Sequence, residues 1–90
     1  MFEWDEVKSE ANLRSRGFDF AHAARVFEGR TPEFDDERAD YGERPVRAIG
    51  RAGRDMLFVV YTWRGLYRRI ISARLANRSE RDAYRQVFGR

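Results

Sequence analysis

Residues 46–73 combine period-two alternation with a strongly β-forming apolar run, the two patterns of strands in a β-sheet. The predicted strands cover residues 46–51, 56–62 and 66–73, with turns at 52–55 and 63–65. The middle strand is nearly all apolar, so we expect it to be central and buried on both faces. Gly53 can adopt the positive φ that a tight hairpin turn requires. This segment therefore predicts an antiparallel meander of three strands.

Two helices are predicted before the meander, after a short strand over residues 2–4. Asp5 is the expected N-cap of the first helix and Gly17 its C-cap. The expected apolar face of this helix is thin and consists of Val7, Ala11 and Leu13. Asp19 caps the second helix, and Gly29 marks its end. Its core-facing stripe, at helical spacing, is Phe20, Ala23, Ala24 and Phe27.

The remaining segments complete an α+β fold. Residues 33–43 are acidic and polar, which predicts an edge strand followed by an exposed loop. Asn77 and Glu80 have the spacing of a capping box at the start of a final helix. The apolar stripe of that helix is Ala83, Tyr84, Val87 and Phe88. We therefore predict an antiparallel β-sheet, the meander plus edge strands, with two N-terminal helices and one C-terminal helix.

Size and composition exclude several classes of protein. A chain of 90 residues predicts one domain, residues 1–90. It has no cysteine, so it can form neither a disulfide nor a thiolate metal site. No His, Asp and Glu cluster has metal-ligand spacing, and no glycine-rich phosphate loop is present, so we expect no metal and no cofactor. No stretch approaches the roughly 20 apolar residues of a membrane helix, and we predict a cytoplasmic protein.

Charge divides the chain into two unlike halves. Residues 1–45 hold seven basic and twelve acidic side chains, a net charge of −5, whereas residues 46–90 hold eleven and three, a net charge of +8. The basic half predicts a polyanionic partner. Seventeen of the eighteen cations are Arg, whose planar fork binds a phosphate through two hydrogen bonds. A genome rich in G and C explains the same excess of Arg equally well.

Several arginines fall on neighbouring strands of the predicted meander. Strict alternation along the last strand puts Arg68, Ile70, Ser72 and Arg74 on one face and Tyr67, Arg69, Ile71 and Ala73 on the other. Arg47 and Arg51 share a face of the first strand, and Tyr61 and Arg64 lie near the end of the second. Such a cluster could hold RNA phosphates and stabilise the charge of a phosphorane-like transition state. Each of these residues also has an interpretation without a function. The arginines could simply be solvated and Tyr61 could belong to the core. Ser72 could be a hydroxyl within the sheet, Glu80 a helix cap and His22 a surface residue.

The chain resembles the BrnT family at both ends. Residues 2–5 read F-E-W-D, and Lys8, Asn12 and Gly17 follow with the spacing of that family's K-x-x-x-N-x-x-K-H-G segment. The likeness is stronger in the second half, above all over residues 69–74, which read R-I-I-S-A-R. The closing helix is similar to the family pattern A-x-x-x-E-R-x-x-Y. Residues 30–44 are the least similar part.

The resemblance implies a RelE-like fold and an endoribonuclease toxin that inhibits translation without metal. It also implies a BrnA-like antitoxin with a ribbon-helix-helix domain, through which the complex binds operator DNA. By matching position, the catalytic candidates are Arg51, Tyr61, Arg64, Arg69, Ser72 and Arg74. Arg16, Arg47 and Arg68 are the expected additional RNA contacts.

One position departs from the family pattern. Where the family has K-H-G, this chain has Ser15, Arg16 and Gly17, so Arg16 replaces a histidine. If that histidine is catalytic, this chain is weak or inactive; if it is a cation at the helix C-terminus, Arg16 serves equally. A degenerate nucleic-acid-binding module, and a protein whose basic half only docks an acidic antitoxin segment, therefore stand as alternatives to a nuclease.

Overall fold

A computed structural model describes residues 1–35 and 44–89 of the chain. In chain order the elements are β1 (Phe2–Trp4), α1 (Glu6–Arg16), α2 (Phe20–Ala24), a 3₁₀ helix (Arg25–Glu28), β2 (Glu33–Asp35), β3 (Val46–Ala52), β4 (Asp55–Arg64), β5 (Tyr67–Leu75) and α3 (Arg78–Phe88). The predicted α+β class is confirmed, with two N-terminal helices and one C-terminal helix. The acidic loop predicted over residues 36–43 lies outside the described residues.

The described strands form one five-stranded sheet in the order β1-β5-β4-β3-β2. Strands β3, β4 and β5 make the predicted antiparallel meander. Gly53 has the expected positive φ of 60°, but the second turn lies further along than predicted. β4 continues to Arg64, which pairs with Tyr67, so Gly65 and Leu66 form that turn.

The two edges of the sheet differ in direction. β2 pairs antiparallel to β3, and its three residues are exposed, as expected of an edge strand. β1 instead pairs parallel to β5, with Phe2 opposite Arg68 and Trp4 opposite Ile70. The sheet is therefore mixed, whereas the sequence predicted a wholly antiparallel one. Alternation along residues 2–4 identifies a strand but carries no information about its direction.

Both faces of the sheet are covered, so β4 lies between two apolar cores. On the face covered by α2 and the 3₁₀ helix, here the α2 face, Leu57 and Val59 pack against Phe20. The second core, on the α3 face, consists of Ile49, Phe58, Val60, Ala76 and Tyr84. The prediction of a central strand buried on both sides is therefore confirmed. None of the helices in the described ranges is long and apolar enough to cross a membrane.

α1 buries its polar side rather than its apolar one. The predicted face was wrong, because Val7 is 72% exposed and Leu13 is 48% exposed. Ser9 and Asn12 are buried instead. The Ser9 hydroxyl accepts a hydrogen bond from the Phe20 N–H at 3.0 Å, and Asn12 donates to the Phe18 carbonyl at 2.9 Å. These bonds attach α1 to the start of α2.

Candidate functional site

A β-bulge in β5 decides which arginines share a face. Val60 pairs with Ser72, but the next residue, Tyr61, pairs with Ile70, so Ile71 is an extra residue in β5. Side chains before and after the bulge therefore alternate out of phase. Arg68 lies on the α2 face and Arg74 on the α3 face, which contradicts the prediction that strict alternation puts them together.

The α3 face gathers guanidinium groups from three neighbouring strands. Alternation and strand pairing put five of the predicted residues there, which we call the α3-face arginines: Arg47, Arg51, Arg64, Arg69 and Arg74. Adjacent strands are about 5 Å apart, so these side chains lie within reach of one extended polyanion. Ser72 shares this face by its pairing with Val60.

Arg74 is held in a fixed position by α3. Its Nη1 and Nη2 atoms donate to the two carboxylate oxygens of Glu80 at 2.9 and 2.8 Å. The guanidinium lies 4.1 Å from the centre of the Phe58 ring. Glu80 also accepts a hydrogen bond from the Asn77 N–H, which confirms the predicted capping box. The sequence indicated the cap but not the bidentate contact with Arg74.

The carboxylate of Glu80 responds to two opposing effects. Burial raises its pKa, but hydrogen bonds from Arg74 and the Asn77 backbone, with the positive charges of Arg74 and Arg47, outweigh burial and lower the pKa overall. Glu80 is therefore ionised near neutral pH. In this state it neutralises Arg74 and lies close to Arg47.

A cavity of about 300 Å³ opens beside this pair, between the sheet and α3. Arg47, Phe34, Ser79 and Glu80 are among the residues that line it. Arg47 donates from Nη2 to the Asp35 carbonyl at 3.3 Å. Its Nε atom is buried and has no hydrogen-bond partner among the described residues. The cavity is therefore lined by a cation, a carboxylate and a hydroxyl together with apolar side chains.

The other α3-face arginines differ in their surroundings. Arg69 forms an ion pair with Glu3 of β1 at 3.1 Å. Arg51 is exposed, with its guanidinium 6.0 Å from the centre of the Tyr84 ring. Arg64 is exposed at the end of β4. An incoming phosphate would compete with Glu3 for Arg69 and with Glu80 for Arg74.

Two predicted residues lie on the opposite, α2 face. Tyr61 is 2% exposed and its hydroxyl donates to Glu33. Burial, and then the hydrogen bond to Glu33, raises the pKa of Tyr61. Arg68 lies between the rings of Phe27 and Trp63, 4.4 and 4.8 Å from their centres. The sheet therefore separates these two residues from the α3-face arginines. The prediction that Arg68 shares a face with Arg74, with Arg69 on the other, was wrong, because the bulge puts Arg69 and Arg74 on the same face.

Arg16 lies at the sheet edge, on the outer side of β5. Its Nη1 donates to the Asn12 side chain and to the Ala73 carbonyl, both at 3.2 Å. Arg16 therefore joins α1 to β5, in addition to being a cation in the last turn of the helix.

His22 was expected at the surface but is partly buried. Its Nε2 lies 3.0 Å from an Asp55 carboxylate oxygen, and its ring lies 5.8 Å from that of Phe18. Both His22 and Asp55 lie on the α2 side of the sheet, away from the α3-face arginines. Within the described part of the chain, no group of three or more His, Asp and Glu side chains could hold a metal ion.

The α3 face therefore combines cations, hydroxyls and an open cavity, which is a surface for phosphate groups. Comparison with known protein families matches residues 4–80 to the family described as "Ribonuclease toxin, BrnT, of type II toxin-antitoxin system". The chain belongs to the BrnT family. As a BrnT-family protein it is a type II toxin-antitoxin ribonuclease toxin, with an antitoxin as partner and RNA as substrate. Comparison with individually curated proteins gives no significant match.

Proposed function

We propose that this BrnT-family toxin cleaves RNA without a metal ion, on the α3-face arginines, and that cleavage inhibits translation. The supporting observation is that five arginines from β3, β4 and β5 lie on one side of the sheet. Guanidinium groups carry their positive charge at every physiological pH, so they can neutralise a phosphate without a bound cation.

The reaction needs little covalent chemistry from the protein, because RNA carries its own nucleophile. The ribose 2′-oxygen attacks the adjacent phosphorus and loses its proton to solvent. The bond from phosphorus to the 5′-oxygen breaks, and that oxygen takes up a proton. The products are a 2′,3′-cyclic phosphate and a free 5′-hydroxyl. The α3-face arginines would hold the phosphate in line and stabilise the additional negative charge of the transition state.

Metal independence is tested with the purified chain and end-labelled RNA in EDTA and in magnesium. We expect equal cleavage rates in both buffers and products that end in a cyclic phosphate. Cleavage that requires a divalent cation, or products with a 5′-phosphate, would contradict this mechanism. Expression without the antitoxin should arrest growth and reduce incorporation of labelled amino acids.

We also propose that the antitoxin is a BrnA-like protein with a ribbon-helix-helix domain, and that operator DNA binds through the antitoxin complex. The family implies an antitoxin, and exposed arginines such as Arg51 suit a partner with acidic side chains. The neighbouring open reading frame tests this proposal. A short gene that encodes a ribbon-helix-helix protein is expected there, and an unrelated neighbour on both sides would count against it.

A non-catalytic RNA-binding module is the second candidate. It is favoured by Arg16, which stands in place of the family histidine, and by the ion pairs that occupy Arg69 and Arg74. Phosphate contacts alone give salt-dependent binding to RNA. In a gel assay at high protein concentration, this candidate predicts RNA that is shifted but intact, whereas the nuclease predicts shorter fragments.

A further inference from the structure

A second cleft lies at the outer edge of β5, beside α1. β1 pairs only with residues 68–70 of β5, so further along the strand this edge faces α1 rather than another described strand. The cleft has a volume of about 270 Å³. Its polar lining residues are Lys8, Asn12, Ser15, Arg16 and Ser72.

The cleft is positively charged, and no carboxylate among the described residues neutralises its cations. Lys8, Asn12 and Arg16 are spaced four residues apart on α1, so they follow one face of the helix. No lining residue is acidic. Among residues 1–35 and 44–89, neither Lys8 nor Arg16 forms an ion pair with a carboxylate, in contrast to Arg69 and Arg74, which each contact a glutamate.

Arg16 is already positioned to receive an anion. Its Nη1 is fixed by the Asn12 side chain and the Ala73 carbonyl, which sets the plane of the guanidinium. The other donors of that fork, on Nη2 and Nε, make no hydrogen bond within the described residues. A guanidinium held in this way loses little side-chain freedom when it binds a ligand.

We propose that the cleft between α1 and β5 binds a phosphate of the RNA backbone next to the one held by the α3-face arginines. Ser72 connects the two sites, because it pairs with Val60 on the α3 face and also lines the cleft. Arg74 is two residues further along β5, about 7 Å away by the rise of a strand. A single RNA strand can therefore pass from one site to the other around the sheet edge.

The chemistry of the cleft favours a phosphate over an acidic segment of a protein partner. Two cations and two serine hydroxyls are the side chains that position phosphates in nucleic-acid complexes. A bound peptide gains most of its affinity from apolar anchors in desolvated pockets. The apolar lining here is Ala11, Phe20 and Ile71, of which Phe20 is fully engaged in the core.

The proposal rests on RNA as the ligand of this toxin, and it is tested by binding rather than by cleavage. The probe is a fluorescent twelve-nucleotide RNA with 2′-O-methyl groups, which cannot be cut by its own 2′-oxygen. Its affinity for the full chain is measured by anisotropy over a range of salt concentrations. Lys8→Gln removes one cation of the cleft, and Arg14→Gln is the matched control, an exposed arginine of α1 that does not line it.

For Lys8→Gln, we expect the slope of log affinity against log salt concentration to become shallower by about 0.7, with affinity about fivefold lower at 0.1 M salt. Arg14→Gln should change the affinity less than twofold. Arg16→Gln should resemble Lys8→Gln, and Arg16→Lys should recover most of the slope because it retains the charge. Thermal unfolding of each variant separates lost binding from lost folding.

Equal slopes for Lys8→Gln, Arg14→Gln and wild type would overturn the proposal. It would also be overturned if the cleft variants bind RNA normally but lose the antitoxin, since the cleft would then be a protein-docking site. Failure of the nuclease reaction has a different signature. If the protein leaves cleavable RNA intact but the salt slope still depends on Lys8, the phosphate cleft is supported and only the proposed cleavage reaction is contradicted.

Discussion

Arg74 shows how a single side chain connects the core, a helix cap and the charged surface. Its guanidinium stacks on Phe58, and Glu80 binds it from the capping position of α3. Charge-assisted bidentate contacts of this kind are stronger than neutral hydrogen bonds. Arg74 is nevertheless 39% exposed, so water screens part of the attraction. The pair therefore has a measurable but moderate effect on stability.

We predict that Glu80→Gln lowers the free energy of unfolding by about 1 kcal/mol at pH 7, because the amide keeps the cap but loses the charge. The folded protein lowers the pKa of Glu80 below its ordinary value of 4.5, so the stabilisation exists above that pH. It disappears as the pH falls through the lowered pKa. The difference between wild type and variant in urea unfolding should therefore shrink below about pH 4.5.

Asp82→Asn is the control for this experiment. Asp82 pairs with Arg85 on the exposed side of the same helix, so its loss should cost less than about 0.5 kcal/mol. A difference between wild type and Glu80→Gln that stays constant down to pH 3 would show that the charge of Glu80 does not stabilise the fold.

Tyr61 is predicted to be a structural residue rather than a catalytic one. Tyr61→Phe removes the hydroxyl that donates to Glu33 and should cost about 1 kcal/mol of unfolding free energy. RNA cleavage should stay within about twofold of wild type, because the side chain lies on the opposite face from the α3-face arginines. In absorbance titration, the difference between wild type and variant should show a phenol that ionises above pH 10. A folded variant that loses cleavage would contradict this assignment.

Among the secondary-structure elements, α1 is attached to the rest of the fold by buried hydrogen bonds instead of an apolar stripe. Asn12 donates to the Phe18 carbonyl just before α2 and accepts from Arg16, which in turn donates to the Ala73 carbonyl at the sheet edge. We predict that Asn12→Ala destabilises the protein by about 2 kcal/mol in urea unfolding, since it leaves a buried carbonyl without its donor. Val7→Ala, at an exposed position of the same helix, should change stability by less than about 0.5 kcal/mol. Equal effects for the two variants would contradict the buried role of Asn12.

Local signals in the sequence predicted most elements correctly. Turn glycines and alternation of apolar side chains predicted the meander. Capping residues predicted the N-termini of α1 and α2 and the capping box of α3, because a cap acts over only a few residues. The polar inner face of α1 could not be predicted, because the pattern Val7, Ala11 and Leu13 suggests the opposite side. Its partners are backbone groups of Phe18 and Phe20, before and at the start of α2, and only the packed structure brings them together.

The candidate site was harder to predict because it depends on one extra residue. The bulge at Ile71 moves Arg68 to the face opposite Arg74, and period-two counting has no means of detecting such an insertion. The sequence identified the arginines themselves. It did not indicate that Glu3, Glu33 and Glu80 would pair with three of them.

At the scale of the molecule, folding brings the acidic first half against part of the basic second half. Glu3 and Glu33 neutralise Arg69 and Arg68 in this way. Within the described residues, Arg51 and the cleft residues Lys8 and Arg16 form no such ion pair. Arg51 lies on the α3 face and Lys8 and Arg16 line the cleft at the edge of β5, so the proposed RNA path carries cations that no described carboxylate neutralises.

The rate of RNA cleavage under single-turnover conditions in EDTA measures whether the α3-face arginines act in catalysis. We compare Arg51→Gln/Arg69→Gln with Arg54→Gln/Arg85→Gln, which removes the same charge from the β3–β4 turn and the exposed side of α3. We expect a rate about 100-fold lower for the first variant, since each guanidinium stabilises the transition state, and a rate within twofold of wild type for the second. Equal rates for the two folded variants would contradict a catalytic role for Arg51 and Arg69.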